Sequence, residues 1–410
     1  MNYTEVLSYL HSVDYTMGRY EREDFDRFVK KEKVELSVPS IHITGSNGKG
    51  SVAHYLEAIY LASGYHVGLF SSPFAYKPNE MIRVDGKDIS DADFAATFSS
   101  KEEAITKGNL SSFEIETFIA FTYFSKKGVD IAIIEAGMGG EGDSTNIITP
   151  ILSIITSVSL EHTEFLGTSV SEITENKAGI VKKRVPLLIG KLGDSALSVV
   201  RKKCKEMNSE LVTVDDFHNE HYLTPHFRFD YRPYYDLAIL NPAKYLIEDA
   251  VIATEAVKTL SSSFPVDELD LRKGLLVEPL MCRFERHRNI FIDGAHNPEA
   301  IEDLTTAIVN VAEGRPIHVV FASFRDKNIA VMLPVLGKDA ADIALTTFSH
   351  PRARSEMDYF LYEADYHYWE DYKMAVRDLI ANHPDDCILV TGSLAFAYEV
   401  RRFVIEELHL

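Results

Sequence analysis

Cysteine is scarce in this chain of 410 residues, which contains three cysteines and one tryptophan. Cys204, Cys282 and Cys387 lie far apart in the sequence and show no metal-ligand spacing. The pattern therefore argues against a disulfide-stapled secreted protein and against a cysteine-ligated zinc site. We expect three reduced, mostly buried thiols in a cytoplasmic protein.

Long apolar runs and an excess of positive charge are also missing. No run approaches the roughly 18 apolar residues that a membrane helix needs, and the first residues, MNYTEVLSYLHSVD, lack the basic and apolar regions of a secretion signal. Lys and Arg number 42 against 62 Asp and Glu, a net charge of −20. Such a field repels nucleic acid and anionic lipid over most of the surface, although a locally basic cleft can still bind an anion. We expect neither a nucleic-acid partner nor a membrane partner.

A glycine-rich turn separates a β-rich run, SIHITG, from a segment with helical spacing, SVAHYLEAIYLASG, that ends at Gly64. It differs from the pattern G-x-x-x-x-G-K-[ST] because Gly50 stands between Lys49 and Ser51. Glycines let backbone N–H groups point into one concavity, and the following helix adds partial positive charge. We predict a phosphate-binding loop in which Lys49 bridges the outer phosphates and Ser51 ligates Mg²⁺; a turn without a ligand is the alternative. The loop residues are Gly45, Ser46, Asn47, Gly48, Lys49, Gly50 and Ser51.

Alternating strand-like and helical segments indicate the fold. They run up to about residue 190 and again from about 285 to 410, which favours parallel sheets covered by helices. Residues 1 to 38 have a helical pattern, and the region from 205 to 240 suggests antiparallel strands or irregular structure. The length predicts two domains. We expect an α/β fold with a P-loop ATPase-type parallel-sheet domain and a small antiparallel extension over 1–284, and a smaller Rossmann-like domain over 285–410.

Polar residues follow several of the predicted strands. Glu135 follows DIAII, His162 follows ILSIITSVSL together with Glu161, and Ser71 and Ser72 follow HVGLF. The carboxyl ends of parallel strands are where open α/β sheets bind ligands, and Mg²⁺ prefers hard oxygen ligands. We therefore predict a magnesium site from Ser72, Glu135 and His162, with Glu161 as an alternative ligand. A lone histidine after a strand is more often structural.

Motifs along the whole chain resemble one family. GSNGKGS, SSP…NEMIRVDG…IS, EAGMGGEGDSTN, EHTEFLG…ENKAGI, RFE and DGAHNPEA occur in this order. Over about residues 1 to 405 the chain resembles the folylpolyglutamate synthases, a family that includes bifunctional dihydrofolate synthases and is related to the Mur ligases. The glycine between Lys49 and Ser51 is typical of these ATP-dependent amide ligases.

The resemblance implies a monomer that binds ATP, two Mg²⁺ ions, a reduced folate and L-glutamate, and whose two domains close on them. It also implies roles for individual residues. Beyond the loop, ATP contacts are implied for Asp249, Arg283 and Asp293. Metal ligands are implied to be Ser51, Ser72, Glu135, His162 and Lys177. Catalytic roles are implied for Lys49, Lys177 and His296. Substrate contacts are implied for Phe74, Arg83, Phe113, Glu114, Asp143 and His296.

Some of these roles have ordinary alternatives. The resemblance implies that Lys177 is carbamylated and so offers a carboxylate to a metal, whereas an exposed helical lysine with a pKa near 10.4 is the alternative. His296 is implied to lie near the incoming glutamate, and a structural hydrogen bond at a helix start is its alternative. Arg83 and Lys77 either attract a polyanionic folate tail or are solvated loop charges.

The chain departs from the family pattern at four places. Phe74 replaces a histidine that many bifunctional members have, and Met81 and Glu141 each replace an arginine. These changes fall in the pterin-side loops, so they weaken the prediction of dihydropteroate binding and favour extension of the glutamate tail alone. Asp249 replaces the usual asparagine near the adenine, and an ionised carboxylate accepts hydrogen bonds without donating any.

Three other functions compete with folylpolyglutamate synthesis. A peptidoglycan-type Mur ligase carries a further domain before the loop, for which the 44 residues before Gly45 are too few. A bifunctional dihydrofolate synthase is closer. A nucleotide-binding regulator without ligase activity is suggested by the four departures, but the presence of Lys49, Glu135, His162 and Lys177 argues against it.

Overall fold

The computed structural model describes residues 1–13, 22–223, 226–362 and 366–410. In this part of the chain, no helix is both long and apolar enough to cross a membrane. The sequence-based domain boundary between residues 284 and 285 stays a prediction. Contacts divide the chain into a first unit of Met1–His221, Arg228–Ile239 and Glu248–Val277 and a second unit of Tyr222–Phe227, Leu240–Ile247 and Glu278–Leu410.

An eight-stranded sheet forms the centre of the first unit. Its strands are β1 (Ser40–Thr44), β2 (Val67–Phe70), β3 (Ile82–Val84), β4 (Lys87–Asp88), β5 (Ile131–Glu135), β6 (Leu152–Ile155), β7 (Leu187–Ile189) and β8 (Leu211–Thr213). Their order is β4-β3-β2-β5-β1-β6-β7-β8. The pairings from β2 to β8 are parallel, whereas β3 and β4 add an antiparallel edge. Strands β1, β5 and β6 are buried at every position, which explains their continuous apolar sequences.

Helices cover this sheet. Those that end before residue 280 are α1 (Tyr3–Ser12), α2 (Glu23–Glu32), α3 (Lys49–Ala62), α4 (Asp91–Ser99), α5 (Glu102–Lys107), α6 (Ser112–Lys127), α7 (Thr163–Leu166), α8 (Val170–Lys177), α9 (Asp194–Met207), α10 (Lys244–Thr259) and α11 (Glu268–Leu275). The predicted helical pattern over 1 to 38 corresponds to α1 and α2, and residues 14–21 lie outside the described part. Helix α3 ends near the predicted position, with Gly64 in the left-handed conformation (φ 82°) two residues after it.

A separate three-stranded sheet lies in the region from 205 to 240. Its strands are β9 (His218–Leu223), β10 (His226–Tyr231) and β11 (Tyr234–Ile239), in the order β11-β10-β9. Of the two interpretations of this region, strands and irregular structure, the strands are confirmed. Strand β8 also lies in this region, but it pairs in parallel with β7 and so belongs to the eight-stranded sheet, whereas antiparallel strands were predicted. Helix α9 was not predicted from the sequence.

The second unit contains a six-stranded sheet. Its strands are β12 (Glu285–His287), β13 (Ile290–Ile292), β14 (Ile317–Phe321), β15 (Asp342–Thr346), β16 (His367–Trp369) and β17 (Cys387–Thr391), and its helices are α12 (Pro298–Ala312), α13 (Ile329–Leu336), α14 (Glu356–Tyr359), α15 (Tyr372–Asn382) and α16 (Leu394–Glu406). The order is β12-β13-β17-β14-β15-β16, with β12 antiparallel to β13 and the rest parallel. The predicted α/β fold is confirmed, and the three cysteines are free and buried as predicted.

Candidate active site

The phosphate-binding loop connects β1 to α3 and is held by the segment that follows β6. The backbone N–H of Ser46 donates to the carbonyl oxygen of Ser157 at 2.9 Å, and that of Asn47 donates to the Ser157 hydroxyl at 2.9 Å. The N–H of Ser159 donates to the Ser46 hydroxyl at 2.9 Å. The first turn of α3 then follows Gly48, and its N–H groups have no partners within the helix. The loop is thus built to present N–H groups and a helix N-terminus to an anion.

Lys49 folds back over this loop. Its ammonium group donates to the carbonyl oxygen of Gly45 at 2.9 Å and to that of Ser46 at 3.3 Å. The hydroxyl-bearing Ser51, two residues further on, is buried at the start of α3. The positive charge of Lys49 is therefore held against the loop, and its contact with a nucleotide phosphate stays a prediction.

Ser72 and Glu135 meet at the carboxyl ends of the neighbouring strands β2 and β5. The buried carboxylate of Glu135 accepts a hydrogen bond from the backbone N–H of Ser72 at 3.2 Å and another, at 2.5 Å, from the Ser71 hydroxyl. These bonds orient the carboxylate at the edge of the sheet where α/β folds bind ligands. The structure brings the two predicted metal ligands together, and their metal-binding role stays a prediction.

Glu161, His162 and Lys177 form a second group after β6. The Lys177 ammonium donates to the Glu161 carboxylate at 2.9 Å, and the same carboxylate lies 4.0 Å from Nε2 of His162. His162 has a left-handed backbone (φ 47°) at the start of α7. The Lys177 side chain is only 1% exposed, so the alternative of an exposed helical lysine is wrong.

The charges of this group act on one another. Burial lowers the pKa of Lys177 and the nearby Lys49 ammonium lowers it further, while the Glu161 carboxylate opposes both. Burial alone would raise the pKa of Glu161, but Lys177, Lys49 and His162 together bring it well below its usual range. Glu161 therefore stays ionised, and Lys177 loses its proton more easily than an exposed lysine. The same interactions place Lys49 beside this pair.

Asp143 lies in the loop after β5, where its carboxylate serves the backbone. It accepts hydrogen bonds from the N–H groups of Met138 at 2.9 Å and Thr145 at 3.0 Å. Burial raises the pKa of Asp143 despite these hydrogen bonds. The Asp143 charge in turn acts to raise the pKa of Lys177, which shows that the two groups are close. The predicted substrate contact of Asp143 stays a prediction, while its structural role in shaping this loop is clear from the bonds.

Three further predicted substrate contacts have local structural partners. The Glu114 carboxylate accepts hydrogen bonds from Ser111, both from its N–H at 2.7 Å and from its hydroxyl at 2.9 Å, and so caps α6. The ring of Phe113 stacks on Phe70 with 5.6 Å between centroids. Phe74 packs, partly buried, against the apolar core that contains Phe70.

Arg83 lies on β3 and is paired. Its guanidinium group donates to the buried Glu57 carboxylate on α3, and Nδ1 of His54 lies 3.5 Å away. The alternative of a solvated loop charge is therefore wrong, because the side chain is 21% exposed and belongs to a strand. The Glu57 carboxylate offsets the charge of Arg83, and the predicted substrate contact of Arg83 stays a prediction. Lys77, in contrast, is 48% exposed and lies 3.8 Å from Asp91.

Asp249 lies against the phosphate-binding loop. A Cβ atom placed on Gly48 would be 2.1 Å from the Asp249 carboxylate oxygen Oδ1. The aspartate is buried on α10, and its charge also raises the pKa of Tyr55 after the larger effect of burial. A negative charge thus adjoins the N-terminus of α3, where the helix dipole favours it.

Arg283, Asp293 and His296 lie in the second unit and form a group of their own. The Asp293 carboxylate accepts hydrogen bonds from the Tyr245 hydroxyl at 2.6 Å and from the Phe284 N–H at 2.8 Å. Burial raises the pKa of Asp293, and the opposing effect of the Arg283 charge is smaller. Nδ1 of His296 lies 2.9 Å from the carbonyl oxygen of Gly294, which orients the imidazole ring just before α12.

Comparison with known proteins matches both units. The Mur ligase middle domain matches residues 43–231, and the Mur ligase glutamate ligase domain matches residues 281–394. The folylpolyglutamate synthase of Lacticaseibacillus casei is 32% identical, with 99% of each chain covered. The chain belongs to the folylpolyglutamate synthase family.

Other members of the family agree with this assignment. A dihydrofolate synthase/folylpolyglutamate synthase of Bacillus subtilis is 30% identical over 90% of this chain and 91% of its own. A solved folylpolyglutamate synthase complex with AMPPCP and folate has a TM-score of 0.88 at 30% identity, covering 99% of this chain and all of the other. As a member of this family, the chain is an ATP-dependent ligase that forms amide bonds.

One residue of the site has more contacts than the sequence suggested. Glu161 appears in the sequence only as an alternative metal ligand, yet its carboxylate pairs with the Lys177 ammonium, lies 4.0 Å from Nε2 of His162 and feels the charge of Lys49. The available sequence signal for Glu161 was an acid next to a histidine shortly after a buried strand.

Gly48 offers a test of the loop geometry. Its φ is 83°, and an added Cβ would collide with Asp249, whereas Gly64 has φ 82° and no heavy atom within 4 Å of an added Cβ. We expect Gly64→Ala to lower the free energy of unfolding by about 1 kcal/mol through backbone strain alone. Gly48→Ala combines the same strain with the collision, so we expect a larger loss and ATP binding weakened by about tenfold or more, since tenfold corresponds to about 1.4 kcal/mol.

Urea unfolding and calorimetric titration with an ATP analogue measure both effects. Gly64→Ala is the matched control, because it introduces the same side chain at the same backbone angle. Equal ATP affinity in the two variants would contradict a role for the Gly48 geometry in nucleotide binding.

Proposed function

We propose that this ligase uses ATP to add L-glutamate to the γ-carboxylate at the end of the glutamyl tail of a reduced folate. The observation that carries the proposal is the Lys49 ammonium group held against the loop between β1 and α3, because phosphoryl transfer requires positive charge at the transferring oxygens. The Lys177–Glu161 pair lies next to it. The similarity to relatives that are named folylpolyglutamate synthases supports the choice of substrates.

The reaction needs an activated acid, because a carboxylate has no good leaving group. The γ-phosphoryl group of ATP passes to the folate carboxylate, giving an acyl phosphate and ADP. The Lys49 ammonium and the N–H groups of the loop stabilise the negative charge that spreads over the transferring oxygens. The amine of L-glutamate then attacks the acyl carbon, and phosphate leaves as the amide forms. We propose that Arg283 and Asp293 contact ATP. We propose that His296 lies beside the incoming glutamate.

The donor set at the strand ends suits Mg²⁺. The Glu135 carboxylate is oriented by Ser71 and Ser72, and the Ser51 hydroxyl lies at the start of α3, so hard oxygen atoms are available. We assign Ser51, Ser72, Glu135 and His162 as the residues that hold Mg²⁺, with Glu161 adjoining. Bound Mg²⁺ supplies additional positive charge to the phosphate oxygens.

Lys177 is suited to carbamylation. A neutral amine reacts with carbon dioxide to form a carbamate and release a proton. Burial lowers the pKa of Lys177, so a larger fraction of this amine is neutral than in an exposed lysine. The carbamate would add two oxygen atoms to the donor set for a second ion. Incubation with ¹³C-labelled bicarbonate is expected to give a carbamate NMR signal that is lost in Lys177→Met, and equal signals in both proteins would contradict the assignment.

The activity is tested by phosphate release from MgATP with a reduced folate and glutamate together, and by a mass increase of one glutamyl residue in the folate product. We expect phosphate release to depend on both substrates. Dihydropteroate is expected to give little turnover, since Phe74, Met81 and Glu141 replace the residues common in bifunctional members. Comparable turnover of dihydropteroate would establish a bifunctional synthase instead.

Controls omit the folate or the glutamate in turn. If phosphate release is absent, or continues unchanged without either substrate, the ligase proposal fails and a nucleotide-binding regulator is favoured. We also propose that the protein acts as a monomer, which sedimentation equilibrium measures directly.

A further inference from the structure

Two imidazole rings and a carboxylate lie together at the amino ends of the central strands of the sheet in the second unit. His318 is the second residue of β14, His383 directly follows α15, and Asp386 directly precedes β17. Oδ2 of Asp386 lies 3.1 Å from Nε2 of His318 and 3.1 Å from Nδ1 of His383. The three donor atoms all lie within 4.8 Å of one another. Three side chains with possible metal-ligand atoms thus lie close together.

The spacing of these atoms fits a tetrahedral ion. Zinc binds imidazole nitrogen and carboxylate oxygen at about 2.0–2.1 Å, so two ligands of one tetrahedral ion lie about 3.3 Å apart. The two measured distances to Asp386 are 3.1 Å. The remaining pair involves His383, whose side chain is 36% exposed and is able to rotate toward a shared ion. The His318 and His383 ring centroids lie 3.8 Å apart, so the His383 ring must turn away from His318 for both nitrogens to bind one ion.

A further carboxylate fixes the buried member of the set. Nδ1 of His318 lies 2.7 Å from the carboxylate of Asp342, its register partner on β15, and the His318 side chain is 4% exposed. Histidines that bind metals usually donate their other ring N–H to a carboxylate, which fixes the tautomer and the ring orientation. In the tautomer that donates the Nδ1 proton to Asp342, Nε2 of His318 carries a lone pair that is available to an ion bound next to Asp386.

The loop that carries the other two ligands is also held. The side-chain amide of Asn289 donates to the carbonyl oxygens of Asp386 at 2.8 Å and His383 at 3.4 Å. All of these residues lie at the amino ends of parallel strands in the sheet. Asp293 and His296 follow the carboxyl end of β13 in the same sheet, so the cluster is separate from the residues assigned to ATP and glutamate.

We propose that His318, His383 and Asp386 bind one divalent transition-metal ion of the Zn²⁺ class, with water as the fourth ligand. Two nitrogen donors favour such an ion over Mg²⁺ and Ca²⁺, which prefer oxygen. The ion ties the end of α15 to the starts of β14 and β17. It is a structural or regulatory site that does not depend on the proposed ligase activity.

The test is equilibrium binding of Zn²⁺, and of Co²⁺ as a spectroscopic probe, to the untagged full chain in excess Mg²⁺. We expect one ion per chain, a tetrahedral Co²⁺ absorption spectrum and a higher melting temperature with Zn²⁺. Asp342→Asn is expected to weaken binding by about 10- to 100-fold, and His383→Gln and Asp386→Asn by more. His367→Gln changes an exposed histidine of the same unit and is expected to bind normally.

Two results would overturn the site. One is the absence of tight Zn²⁺ binding, which leaves the cluster as a hydrogen-bonded network of His318 between Asp342 and Asp386. The other is binding that survives in both His383→Gln and Asp386→Asn but disappears in His162→Gln, which assigns the ion to the first unit. Because His383 and Asp386 are partly exposed, circular dichroism is expected to show both variants folded, so lost binding in them reports on the ligands.

Discussion

Replacing Lys49 with alanine is expected to reduce folate-dependent phosphate release by about 10²- to 10³-fold, the usual cost of removing one group that stabilises transition-state charge. The ammonium group lies over the phosphate-binding loop and donates to Gly45 at 2.9 Å. Its charge acts mainly on the transferring phosphoryl group, so we expect the fall in kcat with a small change in the KM for folate. Steady-state phosphate release and product mass measure it.

Lys191→Ala is the control for this variant. The Lys191 side chain is 56% exposed and its ammonium lies 2.8 Å from Asp216. The variant therefore removes a lysine from the same unit without removing a charge at the loop. We expect this variant to keep the parent rate. If Lys49→Ala extends folates as fast as the parent, phosphoryl transfer at this loop is the wrong mechanism.

Lys177→Met is expected to abolish detectable ligation and to lower the free energy of unfolding by about 3–5 kcal/mol, since it leaves the Glu161 carboxylate buried without its nearest partner. The Lys177–Glu161 pair is 2.9 Å long, and the two side chains are 1% and 5% exposed. Urea unfolding and phosphate release are measured on the same preparations.

A double variant separates stability from catalysis. Lys177→Met with Glu161→Gln removes both charges, and we expect most of the lost stability to return because no unpaired charge stays buried. Activity is expected to stay absent, because neither substituted residue is able to bind a metal or form a carbamate. Return of activity together with stability would show that the pair has only a structural role.

Lys182→Met is the matched control for Lys177. Lys182 is also partly buried, and burial lowers its pKa to about 8. Its ammonium donates to the carbonyl oxygen of Asn146 at 2.9 Å, and it forms no ion pair with a carboxylate among the residues that the structure describes. Its loss is expected to cost about 1 kcal/mol, the value of one hydrogen bond, and to leave the ligase rate unchanged.

The central strands and the phosphate-binding loop could be predicted from the sequence because short stretches of neighbouring residues determine them. Strands β1, β5 and β6 are buried on both faces, so each is a continuous apolar run. Each ends in glycine or polar residues at the ligand-binding edge. Helix α9 also had a signal, since its buried Ala196, Val200 and Cys204 are spaced by four residues, but the charged residues between them obscure the pattern.

The pairings of charged side chains could not be predicted in the same way. Lys177 and Glu161 are 16 residues apart, and Arg83 and Glu57 are 26 apart. Each contact depends on how a helix or strand packs against its neighbours, and no sequence spacing determines that. Family resemblance indicated that Lys177 is special, but its burial and its partner are visible only in the structure. The same holds for His318 and Asp386, which are 68 residues apart.

The neutral pair of Lys177 and Glu161 has a consequence for the order in which the site assembles. The carbamate proposed for Lys177 would change the charge of the Lys177–Glu161 pair from zero to −2 in a place with almost no solvent. The nearby Lys49 ammonium offsets only part of that charge, so divalent cations would stabilise the carbamate further. Carbon dioxide and divalent ions would then strengthen each other's binding, so bicarbonate supply would set how readily the enzyme takes up metal.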